Sequence, residues 1–352
     1  MFITGLGTAA PPRRYAQGEG WEAVQKTAAF DSLDTRSRAV LRKVLTGNNG
    51  IATRHLALES LSEAFDMTPD VLHARFLKHA PALAGQAAER ALADADVRPE
   101  EIDALVISTC TGYLCPGLTS YVSPRLGLRS DALMLDLVGQ GCGAAIPNLR
   151  TAEALISSGR CGRALSICVE VCSAAFYIDN DPGVLISACL FGDGAGAAVL
   201  SAQRNGGPRL EWKTSATLLN PDDRDLLRFE QRQGMLRNLL SPQVPALAGQ
   251  YAKRVVGSLL AKAGYKREGI SAWLLHPGGR EVLISLRNEL GLEPKALRWS
   301  EAVLNEYGNV SSSSLFFVMQ AALTDSAPRG CWCLSSFGAG FSCHGALVEV
   351  GE

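Results

Sequence analysis

Short apolar runs alternate with helix-like segments along most of the chain. Ile102-Asp-Ala-Leu-Val-Ile107 and Ile270-Ser-Ala-Trp-Leu-Leu275 have the composition of buried strands, and each follows a stretch whose apolar residues recur with the 3.6-residue period of a helix. Strands that alternate with helices are typical of βαβ units and parallel sheets. The pattern therefore predicts an α/β fold.

The chain also repeats itself at a nearly constant offset. Leu83-Ala-Gly-Gln-Ala-Ala-Glu-Arg90 returns as Leu247-Ala-Gly-Gln-Tyr-Ala-Lys-Arg254, 164 residues later, and the two apolar runs above are 168 residues apart. Gly141-Cys142 and Gly308-Asn309, which are 167 residues apart, each stand between an extended segment and a small-residue helical run. This agreement predicts a duplication, with an N-terminal half over 1–203 and a C-terminal half over 204–352.

Composition removes several function classes. The chain has 352 residues, a formal net charge of -1 and a sequence pI of about 6.5, so it lacks the basic surface that nucleic-acid binding requires. Its apolar runs are far shorter than the roughly 20 residues that span a bilayer, and its N-terminus does not have the layout of a secretory signal. Ten cysteines in apolar surroundings favour reduced thiols. We expect a cytoplasmic protein without a membrane span.

Cys142 is the strongest candidate nucleophile. Glycines flank it, and it lies between the apolar segment Ala132–Leu137 and a helical run. A cysteine at the start of a helix feels the positive end of the helix dipole, which favours the thiolate. The competing interpretation is a small buried thiol that only fills space, which is the usual role of a cysteine in an apolar segment.

Two further residues stand at comparable positions. His276 ends an apolar strand and precedes Pro277-Gly-Gly279, and ligands collect at the carboxyl ends of parallel strands. Asn309 precedes a run of serines and could simply cap the helix that follows. Because the duplication places Cys142 and Asn309 at matching junctions, we predict that the three side chains face one pocket suited to acyl-thioester chemistry with an oxyanion hole.

Four segments carry a resemblance that covers nearly the whole chain. They are Gly141-Cys142-Gly143, Leu190-Phe-Gly-Asp-Gly-Ala195, Trp273-Leu-Leu-His-Pro-Gly-Gly279 and Glu306-Tyr-Gly-Asn-Val-Ser-Ser312. In this order they closely resemble the chalcone synthase-like type III polyketide synthases. The resemblance implies a thiolase fold, in which duplicated βαβ halves enclose central helices between two mixed sheets, and it implies a homodimer.

The resemblance also implies a mechanism for the three candidate residues. Cys142 would attack an acyl-CoA starter, and His276 with Asn309 would donate hydrogen bonds to the thioester carbonyl of malonyl-CoA during decarboxylation. The resulting enolate would extend the Cys142-bound chain, which is finally cyclised. Because loss of carbon dioxide generates the carbanion, no cofactor or metal is expected.

Further roles follow from the same resemblance. Phe191 matches the family's aromatic gatekeeper, with ordinary core packing as its other interpretation. A second family phenylalanine aligns with Arg237. The remaining cavity positions are mostly small side chains, which predict a roomy cavity: Cys110, Cys115, Cys172, Ala175, Ser187 and Ser311. Cys115 belongs to the segment that reaches the partner subunit. Arg38, Arg42 and Lys43 form a basic patch where the family binds the CoA phosphates, although each could also belong to a solvated helix face.

Other functions fit the sequence less well. Cys331-x-Cys333 lacks the paired knuckles of a structural zinc site, and the signature of papain-like proteases is absent. Two alternatives remain open: a single condensation like that of ketoacyl-ACP synthase III, and a non-catalytic partner that binds acyl-CoA. The small lining and the loss of the second phenylalanine lead us to expect an aliphatic starter and an alkylresorcinol or alkylpyrone product.

Overall fold

The computed structural model describes residues 1–203 and 210–351, and a nine-stranded mixed sheet runs through it. The strands are β1 (Phe2–Ala9), β2 (Arg14–Ala16), β3 (Thr53–His55), β4 (Ala104–Ser108), β5 (Leu133–Leu137), β6 (Arg163–Glu170), β7 (Gly194–Ser201), β8 (Leu210–Leu219), β9 (Leu227–Arg232), β10 (Met235–Leu240), β11 (Ile270–Leu275), β12 (Gly330–Gly338) and β13 (Ser342–Val350). The helices are α1 (Gln17–Val24), α2 (Ala28–Asp31), α3 (Thr35–Thr46), α4 (Pro69–Ala95), α5 (Leu118–Leu126), α6 (Ala145–Ser157), α7 (Pro182–Leu190), α8 (Val244–Ala263), α9 (Arg280–Leu290), α10 (Arg298–Tyr307) and α11 (Ser314–Thr324).

The order of the strands shows one series of pairings twice. The sheet runs β11-β12-β13-β8-β1-β7-β6-β4-β5. In the N-terminal half β4 is parallel to β6, which is antiparallel to β7, and β7 is antiparallel to β1. In the C-terminal half β11, β12, β13 and β8 repeat the same series of pairings. The halves meet where β1 pairs with β8, so the two predicted sheets are joined into one.

Helices cover both faces of the sheet because its strands are apolar on both faces. Val106 of β4 points into the core around α6 and α11, whereas Leu105 and Ile107 point into a second core against α4. In the C-terminal half α8 and α9 cover the outer face. Since α6 and α11 contact strands of both halves, they are the central helices that the family resemblance implies.

The repeated segments occupy equivalent elements. Leu83–Arg90 lies in α4 and its copy lies in α8, and the two apolar runs form β4 and β11. Single 3₁₀ turns, Gly141–Gly143 and Ser311–Ser313, precede the central helices α6 and α11. The boundary predicted at 203/204 falls against residues 204–209, which lie outside the described residues.

The segment 220–245 leaves the main sheet, and much of it forms a hairpin. A 3₁₀ turn, Pro221–Leu226, leads into β9 and β10, which pair with each other as a separate two-stranded sheet. The sequence did not predict these strands because the segment lacks the regular alternation of apolar and polar residues that indicates a strand. None of the helices in 1–203 and 210–351 combines the length and hydropathy that crossing a membrane requires.

Candidate active site

The turn that carries Cys142 is closely packed on both sides. Gly141 has φ +56, and a Cβ there would lie 2.8 Å from the backbone nitrogen of Ala339. Ser336 Oγ donates a hydrogen bond to the carbonyl of Gly143 at 2.9 Å. The C-terminal glycine-rich run therefore presses on the nucleophile turn, and only glycine satisfies the backbone at position 141. These contacts fix Cys142 just before α6, where the sequence placed it.

The surroundings of Cys142 favour its thiolate. The hydrogen bond from the Cys110 thiol, the proximity of His276 and the hydroxyl of Ser311 together lower the pKa of Cys142 well below the usual range, against the opposing effect of burial. Ser311 Oγ donates to Cys142 Sγ at 3.1 Å. The pKa of Cys110 moves the other way, well above its usual range, because of its hydrogen bond with Cys142 and its burial. Of the two thiols, Cys142 therefore has the greater thiolate character, which is the property that a nucleophilic cysteine requires.

His276 lies beside the thiol with its ring unpaired. Its backbone nitrogen donates to the carbonyl of Ser335 at 2.8 Å, which ties the end of β11 to β12. The imidazole is 1% exposed, it packs edge-on against Phe337 with ring centroids 4.9 Å apart, and neither ring nitrogen has a partner among the described residues. A buried ring with both nitrogens free is available to a ligand in the cavity that it lines.

Asn309 is held by both ends of its amide. Its Oδ1 accepts from the backbone nitrogen of Ser311 at 2.9 Å, and its Nδ2 donates to the carbonyl of Gly278 at 3.2 Å. The second Nδ2 hydrogen remains for a ligand. The helix-cap interpretation is wrong in detail, since Asn309 is followed by a 3₁₀ turn and α11 begins only at Ser314.

Cys142, His276 and Asn309 all line one cavity of about 640 Å³. Phe191 also lines it, and on its other side the same ring lines a second, much smaller space of about 20 Å³. Backbone hydrogen bonds Asn309 N to Leu190 O (2.9 Å) and Gly192 N to Asn309 O (3.0 Å) fix the ring's position relative to Asn309. Phe191 therefore contributes to the walls of two cavities.

The inner cavity behind Phe191 is lined as the sequence predicted but is far smaller than predicted. Cys172, Ala175, Ser187 and Ser311 line it. The expectation that small side chains leave volume is wrong for this space, whose wall also includes the larger side chains of Phe229 and Asn238 from the hairpin. Cys110 lines a separate cavity of about 750 Å³, whose wall includes Thr111 and Phe229 as well.

Arg237 does not line the inner cavity, the 640 Å³ cavity or the 750 Å³ cavity. Its guanidinium donates to Asp179 Oδ2 at 2.7 Å, Glu230 Oε1 at 3.0 Å and Asp181 Oδ2 at 3.3 Å. Successive residues of a strand point to opposite faces, so the next residue, Asn238, takes the cavity position. The predicted placement of Arg237 was wrong by one residue of strand register.

Cys115 lies apart from these cavities. It is exposed, and a cis peptide bond joins it to Pro116. Within the described part of the chain Cys115 does not contribute to the walls of the two cavities that Phe229 lines or of the cavity around Cys142. Its predicted role concerns a partner subunit, which is addressed below.

The basic patch contributes one of its three predicted cations to the cavity mouth. Lys43 lines the 640 Å³ cavity, whereas Arg38 donates to the carbonyl of Asp31 at 2.7 Å and stacks on Phe30. Arg42 does not line this cavity either. Arg280, which the sequence analysis missed, stands at the mouth and donates to the carbonyl of Asn48 at 2.7 Å. Its position directly after the Gly-Gly pair was the available signal.

Sequence reasoning also missed Glu170. This carboxylate is fully buried at the end of β6 and accepts from Cys110 N at 3.0 Å, Thr111 Oγ1 at 2.9 Å and the Ser312 hydroxyl. Burial raises its pKa. A charged residue that ends a strand with an otherwise apolar pattern could have drawn attention to it. Glu170 orders the Cys110 and Ser311 side chains that contact Cys142.

Comparison with known families and structures gives a consistent result. The family model "FAE1/Type III polyketide synthase-like protein" matches residues 19–218, and "Chalcone and stilbene synthases, C-terminal domain" matches residues 214–348. Among solved structures, PKS-I from the brown alga Ectocarpus siliculosus superposes with a TM-score of 0.90 at 27% identity, over 99% of this chain and 98% of that one.

Curated relatives match over the same length. A 3,5-dihydroxyphenylacetyl-CoA synthase of Streptomyces toyocaensis is 30% identical over 99% of this chain and 89% of its own. A 1,3,6,8-tetrahydroxynaphthalene synthase of Streptomyces peucetius subsp. caesius is 30% identical over 99% and 92%. An α-pyrone synthesis polyketide synthase-like protein of Mycobacterium tuberculosis is 27% identical over 99% and 91%.

Proposed function

The chain belongs to the type III polyketide synthases, and from that premise we propose that it extends an acyl group held as a thioester on Cys142 with malonyl units. The observation that carries the residue assignment is that Cys142, His276 and Asn309, from three separated segments, line one cavity. The match of both family models favours this activity over the ketoacyl-ACP synthase III and non-catalytic alternatives.

The first step is acyl transfer to sulfur. The Cys142 thiolate attacks the carbonyl of an acyl-CoA, the C–S bond to CoA breaks, and CoA leaves as a thiol after it takes up a proton. The lowered pKa of Cys142 supplies the thiolate before the substrate arrives. His276, with two free ring nitrogens, can pair with that thiolate and then with the thioester oxygen.

The second step is decarboxylation and condensation. Malonyl-CoA enters the same cavity and loses carbon dioxide, and the electron pair of the broken C–C bond forms an enolate. A free His276 nitrogen and the free Nδ2 hydrogen of Asn309 stabilise the enolate oxygen as an oxyanion hole. The enolate carbon then attacks the Cys142 thioester, which expels the Cys142 thiolate and leaves the lengthened chain on CoA. Cys142 takes this chain back by the same acyl transfer, with release of CoA, before the next extension. This chemistry needs no metal or redox cofactor, because decarboxylation itself supplies the carbanion.

The substrates are CoA thioesters that enter past a small basic mouth. Lys43 and Arg280 line the entrance of the 640 Å³ cavity, and their charges suit the CoA phosphates. The wall between this mouth and Cys142 is mostly apolar, and it suits a pantetheine arm. Arg38 and Arg42 do not line the cavity, so they would contribute only to the positive electrostatic potential around its entrance.

For the starter, the dimensions of the inner cavity favour a short acyl group. A space of about 20 Å³ behind Phe191 holds little more than a water-sized group. The long aliphatic starter is the second candidate. It is favoured by the neighbouring cavity of about 750 Å³, which shares Thr111 and Phe229 with the inner one, and by the α-pyrone-forming relative. An alkylresorcinol or alkylpyrone product would require Phe229 to move aside.

We also propose a homodimer. The edge strand β5 leaves its outer backbone groups unpaired, and the apolar side chains of Leu133, Val138 and Tyr113 near it are 41%, 62% and 71% exposed. Cys115 is exposed and lies, like Tyr113, in the connection between β4 and α5. This position supports the arrangement implied by the family resemblance, in which the segment around Cys115 reaches the partner subunit's cavity.

The assignment is tested by separating decarboxylation from condensation. We expect Cys142→Ala to lose condensation but still release carbon dioxide from malonyl-CoA, because the oxyanion hole remains. Asn309→Ala should lower carbon dioxide release by about 10² to 10³-fold. Asn305→Ala, an exposed amide on α10, is the matched control and should match the wild type. Unchanged release by Asn309→Ala would refute the proposed oxyanion hole.

A further inference from the structure

The hairpin β9–β10 is joined to the start of α7 by an ionic clasp, which we define as Arg237 with Asp179, Asp181 and Glu230. The Arg237 side chain is only 9% exposed, and each of its nitrogens has a carboxylate partner at 2.7 to 3.3 Å. Glu230 is the cross-strand neighbour of Arg237, while Asp179 and Asp181 lie just ahead of α7. The clasp therefore connects two elements that share no strand pairing.

Asp181 has two tasks in the clasp. Its Oδ1 accepts from the backbone nitrogens of Gly183 at 2.8 Å and Val184 at 3.3 Å, which caps the N-terminus of α7. Its Oδ2 accepts from Arg237. Because one carboxylate holds both the helix terminus and the guanidinium, a displacement of β10 is transmitted to α7, the helix that ends directly before Phe191.

Two more contacts join the strand β10 to the helix α7. Asn238 Nδ2 donates to Ser187 Oγ at 2.8 Å, and both residues line the inner cavity. Gly183 lies directly against the carbonyl of Leu240, since a Cβ on Gly183 would be 2.3 Å from that oxygen. These three contacts (the clasp, Asn238 with Ser187, and Gly183 with Leu240) hold β10 against α7 and keep the inner cavity small. The clasp is the only one of the three that involves charged side chains.

We propose that Arg237 is a positioning residue that keeps the hairpin against α7 and thereby limits the length of acyl chain that the inner cavity accepts. This proposal rests on the proposed function. An isolated two-stranded hairpin is marginally stable, so β9–β10 depends on such contacts for its position. When the clasp is removed, the wall formed by Asn238 and Phe229 withdraws from Ser187, and the inner cavity opens towards the 750 Å³ cavity behind Phe229.

The arrangement specifically requires arginine. A planar guanidinium presents donors in several directions at once, and here Nε, Nη1 and Nη2 each serve a different carboxylate. A lysine at this position keeps the charge but cannot reach all three partners. Arg237→Lys should therefore lie between the wild type and Arg237→Met.

The test compares starters of increasing length in the full-length enzyme. Wild type, Arg237→Met, Arg237→Lys and Asp179→Asn are each incubated with acetyl-, hexanoyl- or dodecanoyl-CoA and labelled malonyl-CoA, and products are quantified by mass spectrometry. Arg232→Met is the matched control, because Arg232 lies on the same hairpin, 3.8 Å from Asp179, but is 56% exposed. Acylation of Cys142 by acetyl-CoA is measured in parallel.

We expect Arg237→Met to raise the ratio of dodecanoyl- to acetyl-derived products by about tenfold or more, while acetylation of Cys142 stays within about twofold of the wild type. Asp179→Asn should shift the ratio in the same direction, and the double variant should add little to Arg237→Met, since both act through one contact. Arg232→Met should leave the ratio unchanged.

Two results would overturn the proposal. One is a length ratio in Arg237→Met and Asp179→Asn equal to that of the wild type. The other is a parallel loss of all products and of Cys142 acetylation, which would give Arg237 a purely structural role. If Arg237→Met does not fold, Arg237→Lys and Asp179→Asn decide by the same ratio. Failure of the wild type to condense malonyl units is a separate result, and it would count against the proposed function itself.

Discussion

At the scale of single residues, the contrast between Cys142 and Cys110 dominates the site. Both thiols are held by the Ser311 hydroxyl, with sulfur to oxygen distances of 3.1 and 3.4 Å. Burial alone raises the pKa of a thiol, so the lowered pKa of Cys142 depends on its hydrogen-bond donors. Cys110 remains the protonated donor of the pair.

This contrast predicts the pH profile of alkylation. Iodoacetamide should modify Cys142 with a half-maximal rate at a pH below the ordinary thiol value of about 8.5, since its thiolate persists there. Cys110→Ala removes the first donor and should move the profile towards higher pH, whereas Cys110→Ser should move it less. The rate is read by peptide mass spectrometry. An identical profile for Cys110→Ala and the wild type would contradict the assignment.

His344 gives the fold a dependence on pH. Its Nδ1 lies 3.0 Å from Thr217 Oγ1, and burial, assisted by the charge of Arg150, lowers its pKa to about 4 from an ordinary value near 6.5. The unfolded chain therefore binds this proton more tightly than the folded one, and stability is lost as the pH falls from 6.5 to 4, by up to about 3 kcal/mol. In urea titrations His344→Gln should lose less stability over this range than the wild type. If the unfolding free energies of the wild type and His344→Gln fall equally between pH 6.5 and 4, His344 is not the source of this pH dependence.

The residues that sequence reasoning found and missed differ in a physical way. Cys142, His276 and Asn309 stand in glycine-containing segments between two elements, where a local pattern marks them. The extended segment predicted before Gly308 is wrong, since the helix α10 ends there at Tyr307. Arg237 was misplaced because strand register depends on a single residue and the segment shows no alternation. Glu170 and Arg280 were missed because their roles depend on partners that are distant in sequence.

At the scale of elements, the nucleophile turn depends on a close approach between two loops. Gly141 and Ala339 are in contact at backbone distance, and Gly338 in turn lies against the backbone of Gly143. The duplication predicted the junctions before α6 and α11, because in both a glycine precedes a small-residue helical run. Only the first junction follows a strand, since the second follows the helix α10. The repeated sequence segments do not include the hairpin β9–β10, and its ion pairs with the residues before α7 are not revealed by any local pattern.

Gly141→Ala tests this close approach. A Cβ at φ +56 is strained, and it would lie 2.8 Å from Ala339 N, so we expect a loss of about 1 to 3 kcal/mol in unfolding free energy and a slower acylation of Cys142. Gly139→Ala, also at positive φ but with open space around it, should cost stability without slowing acylation as much. The comparison uses thermal unfolding and single-turnover acylation. Equal acylation rates for the two variants would show that the close contact between Gly141 and Ala339 does not affect the reactivity of Cys142.

At the scale of the whole molecule, the candidate catalytic residues come from both halves of the chain and line one cavity. The N-terminal half supplies Cys142 before one central helix, and the C-terminal half supplies Asn309 before the other, with His276 at the end of β11. The repeat offsets predicted this convergence, because equivalent ends of a duplicated α/β unit meet around the axis that relates them. They did not predict the volume of the cavities, which depends on the hairpin.

The exposed edge strand predicts the assembly. Leu133→Lys on β5 should lower the molar mass measured by light scattering from that of a dimer towards that of a monomer, because a charge opposes edge-to-edge pairing. Glu268→Lys, an exposed position beside β11 at the opposite end of the strand order, should leave the mass unchanged. A wild-type protein that is monomeric at micromolar concentration would contradict the proposed dimer.

The central claim is that one sulfur among ten carries the growing chain. The direct measurement is a brief incubation with acetyl-CoA and malonyl-CoA, followed by acid quenching, digestion and mass spectrometry of every cysteine-containing peptide. We predict that acetyl and extended acyl groups are found on the peptide with Cys142 and that His276→Ala and Asn309→Ala retain acetyl but lack extended groups. Acyl groups that reside on another cysteine, or extension that proceeds in Cys142→Ala, would contradict the account.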